Sequence, residues 1–326
     1  MLQTDCVFLD AEVFVRARWA LDGPLLGKFC EHSSWGTIRL VFTLVTIGEI
    51  ERGIREAACE AARHVRKLRT MPGAKYLHVS GRIPKSRSDE EVAATAVEHF
   101  RKWLHDAKAE IIDLGSVPAE AVFVRYFRGA PPFGAGAKKS EFPDAFTILA
   151  LHQWCHEHNR SVYVVSQDGD LRRACEAYPE LIYVERGEEL LDLLVRDRSA
   201  FGMWASASLA FSSLTEHVQD IIAEEILQRR FVVIGAIGTV ESVHIEKIDI
   251  TDTFVLSVGH PFRYSCEVTI RAKVDLTYID SHSRQVERIV PMMLDTPVDV
   301  EIDPADADTP IMVQLPLEDE VLVSVD

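Results

Sequence analysis

Six cysteines, at positions 6, 30, 59, 155, 175 and 266, are scattered through 326 residues without one Cys-x-x-Cys pair. That spacing excludes a zinc ribbon and a dense disulfide scaffold, and it suits a reducing, cytoplasmic setting. No apolar run reaches the roughly 18–20 residues that span a bilayer. Met1-Leu2-Gln3-Thr4-Asp5 has no basic stretch ahead of the apolar one, so no signal peptide is expected. A Gly-Lys-Ser/Thr loop is missing, which argues against nucleoside triphosphate binding, and so is His-Glu-x-x-His. No repeat occurs at solenoid periods.

What is there describes an ordinary folded chain: 47% apolar and 26% charged residues, long enough for two domains with ample core. The net charge of −16 is uneven. Residues 201–326 hold 8 Lys and Arg against 22 Asp and Glu, a net of −14, which leaves −2 for residues 1–200. The acidity therefore belongs to the C-terminal part and makes that part a poor binder of nucleic acid.

Apolar, β-favouring runs at Cys6–Leu9, Ile38–Phe42, Ala109–Leu114, Val162–Val165 and Leu181–Val184 alternate with helical stretches. That alternation predicts an α/β domain with a mainly parallel sheet over residues 1–198. Thr46 with Glu49, and Ser88 with Glu91, have the spacing of capping boxes. Pro143 suits an early helical position. Residues 199–228 read as a linker followed by a helix from Leu214. Residues 229–326 read as eight short β runs, from 231–240 to 311–315, which predicts an antiparallel sandwich or barrel.

Four acids stand at equivalent points of the α/β pattern. Asp10 follows the first strand, Glu49 and Asp144 open helices, and Asp168 follows Val162–Val165. Carboxylates at strand ends facing carboxylates at helix starts make a candidate site for a hard cation such as Mg²⁺ or Mn²⁺. Each acid also has an ordinary explanation as a helix cap or a first-turn acid. His152, His156 and His158 form a rival group whose simplest reading is a solvated helix end.

These residues carry a resemblance. Val-Phe-Leu-Asp10, Thr-Ile-Gly-Glu49, Phe-Pro-Asp144 and Ser166-Gln167-Asp168-Gly169-Asp170-Leu171 resemble the four-acid signature of PIN-domain ribonucleases. The layout is most similar to the longer bacterial PIN branch, formerly a domain of unknown function, which carries an extra C-terminal region. The resemblance covers about residues 5–185. It implies a metal-dependent ribonuclease in which Asp10, Glu49, Asp144 and Asp168 hold Mg or Mn, with Asp170 and Glu141 as further ligands. It further implies that Ser166 orients Asp168, that Lys138 and Lys139 contact RNA phosphates, and a frequent role in toxin or defence systems. Asp10-Ala11-Glu12 departs from the family's Asp-Thr-Asn and lacks its hydroxyl, so a second reading is a catalytically silent scaffold that binds RNA or protein. The acidic β-rich part is expected to serve protein contact or self-association.

Overall fold

The structure, a computed structural model, describes residues 2–71, 88–115, 117–133, 141–198, 201–259, 261–279, 284–303, 311–316 and 320–325. The chain divides into two compact units, Met1–Leu190 and Leu191–Asp326.

In the first unit β1 (Cys6–Leu9), β2 (Arg39–Thr43), β3 (Glu110–Ile112), β4 (Val162–Val165) and β5 (Leu181–Val184) form one sheet in the order β3-β2-β1-β4-β5. Every pairing in it is parallel. All residues of β1 and β4 are buried, as parallel strands covered by helices on both faces require. The helices are α1 (Ala11–Arg16), α2 (Pro24–Ser34), α3 (Leu44–Thr70), α4 (Asp89–Asp106), α5 (Ala119–Arg128), α6 (Phe142–His158) and α7 (Gly169–Cys175). Phe8, Val41 and Val164 pack in one core with Ile148, Leu151 and Trp154 of α6, and with Cys155 and Cys175. A second group of rings joins Phe14, Phe42, Phe100 and Trp103, with centroids 5.5 to 6.3 Å apart.

The chain lays β1, β2 and β3 outward in one direction and then adds β4 and β5 on the opposite side of β1. Strand order therefore reverses between β1 and β4, and the crevice beyond their carboxyl ends is where such sheets hold ligands.

The capping box of Ser88 and Glu91 is present. The one expected at Thr46 and Glu49 is not. Thr43, the last residue of β2, is the N-cap of α3 and accepts a hydrogen bond from the Thr46 N–H at 3.2 Å. Two threonines lie within bonding reach of that helix start, and the one at the strand end takes the role. Glu49 consequently sits in the body of α3 and caps nothing.

The division between the units falls within α8 (Gly187–Arg198). In the second unit α9 (Phe201–Leu227) is one continuous helix, so residues 201–213 are helical where composition suggests a linker. Ala207, Phe211, Val218, Ile222 and Ile226 make its buried stripe. The hydroxyls of Ser212 and Thr215 bond back to the carbonyls of Ser208 and Phe211, which accommodates these residues inside a helix.

Strands β7 (Ile237–Ser257), β8 (Phe262–Ile279), β9 (Gln285–Ile302) and β10 (Ile311–Gln314) form an antiparallel sheet in the order β10-β9-β8-β7, while β6 (Arg230–Ile234) and β11 (Glu320–Ser324) form a separate parallel pair. The expected antiparallel region is there, in fewer and longer strands than the short runs predict. β7 slips register against β8 at 240/242, 245/247, 250/252 and 255/257, as β-bulges do. Among the described residues no helix is long and apolar enough to cross a membrane.

Candidate active site

Asp10 is the first residue beyond β1. Its N–H donates to the Val165 carbonyl at 3.0 Å, which adds one rung to the β1–β4 ladder and fixes the backbone at the strand-order reversal. The side chain caps α1 through the Ala11 N–H, at 2.7 Å to Oδ1. The other oxygen, Oδ2, accepts from the Ser166 hydroxyl at 2.7 Å, and Ser166 Oγ accepts the Asp168 N–H at 3.0 Å. Ser166 is fully buried, so this relay ties the ends of β1 and β4 together in a dry place. Asp168 in turn caps α7, accepting from the N–H groups of Asp170 and Leu171.

Glu49 and Asp144 reach the same region on helices. Thr43, Thr46 and Thr147 are buried and bond one another through their hydroxyls, at 2.9 Å for Thr43–Thr46 and 3.2 Å for Thr43–Thr147. This knot pins the start of α3 to the first turns of α6, with Glu49 one turn after Thr46 and Asp144 one turn before Thr147. All three threonines are positioning residues; the motif reading took Thr46 as a cap and did not single out Thr43 or Thr147. A hydroxyl at a strand end was the available signal.

The electrostatics record what that convergence does. Burial raises the Asp144 carboxyl to about 7, and the charges of Asp10, Glu49, Asp168 and Glu141 push the same way. Glu49 is raised by burial and by Asp10, with Arg52 partly opposing. Asp10 is raised by burial, with Glu12 and Asp168 adding to the effect and the bonds from Ser166 and Ala11 opposing it. Among the described residues, neither Glu49 nor Asp144 has a hydrogen bond to its carboxylate.

A cleft of about 730 Å³ opens here, lined by Asp10, Glu49 and Asp168 together with Glu12, Glu56, Glu60, Arg52 and Trp19. Glu49, Glu56 and Glu60 share a face of α3 by helical spacing, a signal the sequence carried. Of the further residues singled out from sequence, Glu141 is the N-cap position of α6 and makes no side-chain cap bond. The carboxylate of Asp170 is paired with Arg173. Lys138 and Lys139 lie outside the described residues. The rival histidines go separate ways: His152 pairs with Glu180 and packs on Tyr178, His158 donates to the Trp154 carbonyl at 2.8 Å, and His156 is exposed.

An oxygen-only set of mutually repelling carboxylates has the donor chemistry of a Mg²⁺ or Mn²⁺ site. As the side chains stand, no three His, Cys, Asp or Glu among the described residues are close enough to hold one ion. The residues fit such a cation by charge and donor type, and the carboxylates would have to draw together around it.

A parallel sheet carrying an acidic crevice at its strand-order reversal fits a nuclease-like fold, the class that the family match defines. The model of the PIN domain matches residues 7–171, from β1 into α7, and the chain belongs to the PIN-domain family. PIN domains are generally nucleases that use divalent metals and bind RNA. No curated protein and no solved structure matches the chain.

Proposed function

We propose that the protein is a metal-dependent endoribonuclease that hydrolyses RNA phosphodiesters at the cleft beyond β1 and β4. One observation carries this reading: Asp144 is half-buried beside Asp10, Glu49 and Asp168 and, among the described residues, has no hydrogen-bond donor of its own. A fold tolerates that arrangement at neutral pH either by keeping a proton on Asp144 or by admitting a cation. Asp10, Glu49, Asp144 and Asp168 would hold Mg or Mn, with Glu141 and Asp170 as outlying acids. Such an ion, when bound, activates water and neutralises charge on the phosphate. Ser166 holds Asp10 and the Asp168 backbone in fixed orientation. Lys138 and Lys139 would steer the polyanion.

All six cysteines are free thiols, in keeping with a cytoplasmic protein. A role in a toxin or defence system would follow the family. The net −14 of residues 201–326 suits contact with protein, or self-association, better than contact with RNA. A second reading, a silent scaffold binding RNA or protein, is favoured by Ala11 where the family places a hydroxyl.

The test is cleavage of labelled RNA by the whole chain with Mg²⁺ or Mn²⁺, beside Asp144→Asn and Asp168→Asn. Metal-dependent cleavage lost in both variants supports the enzyme. Cleavage that persists in both, or none with either metal, removes it.

A further inference from the structure

We propose that a second cavity, which shares Trp19 with the acidic cleft, receives an unpaired nucleobase of the bound RNA. The proposal rests on the ribonuclease reading above. The cavity measures about 540 Å³, within the range of small-molecule sites, and Trp19 and Ala57 line both it and the cleft.

Trp19 is held in place at some cost. Arg18 and Trp19 both have left-handed backbones, with φ of 50° and 60°, a conformation bulky residues rarely adopt. The Trp19 N–H bonds to the Phe14 carbonyl at 2.9 Å, which closes the turn. The ring lies against Gly53 of α3 so closely that a Cβ there would fall 2.3 Å from Trp19 Cη2. A half-buried indole is thus fixed in the lining that the two openings share.

The lining of the second cavity suits a heteroaromatic ring. Arg18 and His99 are exposed on its walls and offer hydrogen bonds and a cation. Trp103, only 6% exposed, also lines it, and among the described residues its buried Nε1–H has no partner, a donor that costs free energy until an acceptor meets it. A ligand spanning both openings needs an anionic part for a cation-loaded acidic cleft and a flat part to stack on Trp19. A nucleotide of a single strand has both, and proteins bind unpaired bases by such stacking. A base within a duplex is already stacked and cannot enter.

The experiment is a double-substitution cycle on cleavage kinetics of the whole chain in Mg²⁺ or Mn²⁺. Single-stranded RNA with a mapped cut site is compared with the same RNA carrying an abasic nucleotide beside the cut. Each is given to the unsubstituted protein, Trp19→Ala, Trp19→Phe and Gly53→Ala. Removing the base raises KM about 10-fold for the unsubstituted protein, and Trp19→Ala raises KM about 10-fold on intact RNA. The two changes together do no more than either alone, and kcat stays within about twofold. Gly53→Ala, which displaces the ring without removing it, reproduces Trp19→Ala, while Trp19→Phe falls between. Should Trp19→Ala unfold the chain, the other two variants decide on the same criterion. Effects of base and indole that simply multiply, or a change confined to kcat, overturn the base site and leave the ribonuclease standing. No cleavage by the unsubstituted protein overturns both.

Discussion

Two aspartates, one in each unit, show how differently a protein can treat a carboxylate withdrawn from water. Asp192 in the second unit is 7% exposed. Its Oδ1 accepts from Trp204 Nε1 at 3.0 Å and from the Val255 N–H at 3.2 Å, and its Oδ2 pairs with Arg196 at 2.7 Å. Asp144 in the first unit is less buried, receives no donor from the described residues, and faces four other acids. The first is a satisfied structural hub. The second is an unmet charge that needs a proton or a cation. Charge totals hide this: residues 201–326 carry the excess of acids, yet several of them are matched across strands, as Asp249 is with Arg271 at 3.7 Å and Glu301 with Arg263 at 2.9 Å. Placement, and not number, marks the candidate site.

The sharpest way to break that contrast is activity. Asp144→Asn or Asp168→Asn should lower metal-dependent RNA cleavage by more than about 100-fold, beyond the cost of losing an outer partner of a metal ligand. Neutralising Asp249 should leave the rate within about twofold. Because Asn retains the capping ability of Asp168, a purely structural Asp168 would keep its activity in this variant.

Stability should then fall wherever a satisfied buried link is removed. Asp192→Ala strands Arg196 and two N–H donors and should cost about 3 kcal/mol in urea unfolding. Ser166→Ala breaks the buried link between β1 and β4 and should cost about 2 kcal/mol.

The pH dependence of stability is the most diagnostic. Asp144 has an ordinary value of 3.8 and is raised to about 7, so folding favours its protonated form. The stability this contributes is complete below about pH 4 and is lost as the pH rises towards 7. In a chelator, the melting temperature should fall over that window, and Asp144→Asn should flatten the fall. Adding Mg²⁺ at pH 7 should restore more stability than adding it at pH 5. A melting curve indifferent to both pH and Mg²⁺ would show that Asp144 is not an unmet charge.

Much of the first unit was legible because its strands are buried on both faces. β1, β4 and β5 coincide with continuous apolar runs, and the acids that follow β1 and β4 fall where the sheet turns them together. The start of α3 was misplaced because Thr43 and Thr46 offer the same chemistry three residues apart, and only the three-dimensional position of Thr147 distinguishes their roles. Nothing local announces Trp19, whose place depends on a left-handed turn and on a glycine in another helix. The second unit was harder because β7 interrupts its own alternation. Two of its slips, at 240/242 and 250/252, are where the apolar runs broke, so one long strand reads as several short ones. β9 was split for another reason. Pro291 and Pro297 lie inside it, where among the described residues β8 is its only ladder neighbour and β10 pairs no further than Asp299, the kind of position in which a strand tolerates proline.

The slips in β7 recur every five residues along a strand that, among the described residues, has a ladder partner on one side only. A straight incoming strand could match the free margin for about four residues before losing step, too short a match for stable pairing. A ribbon of this length with a flat margin would invite copies of itself to add on without limit. Here the rhythm of kinks acts as a built-in guard against fibre growth, and shortening β7 by a single kink would remove part of that guard while leaving its hydrophobic content untouched.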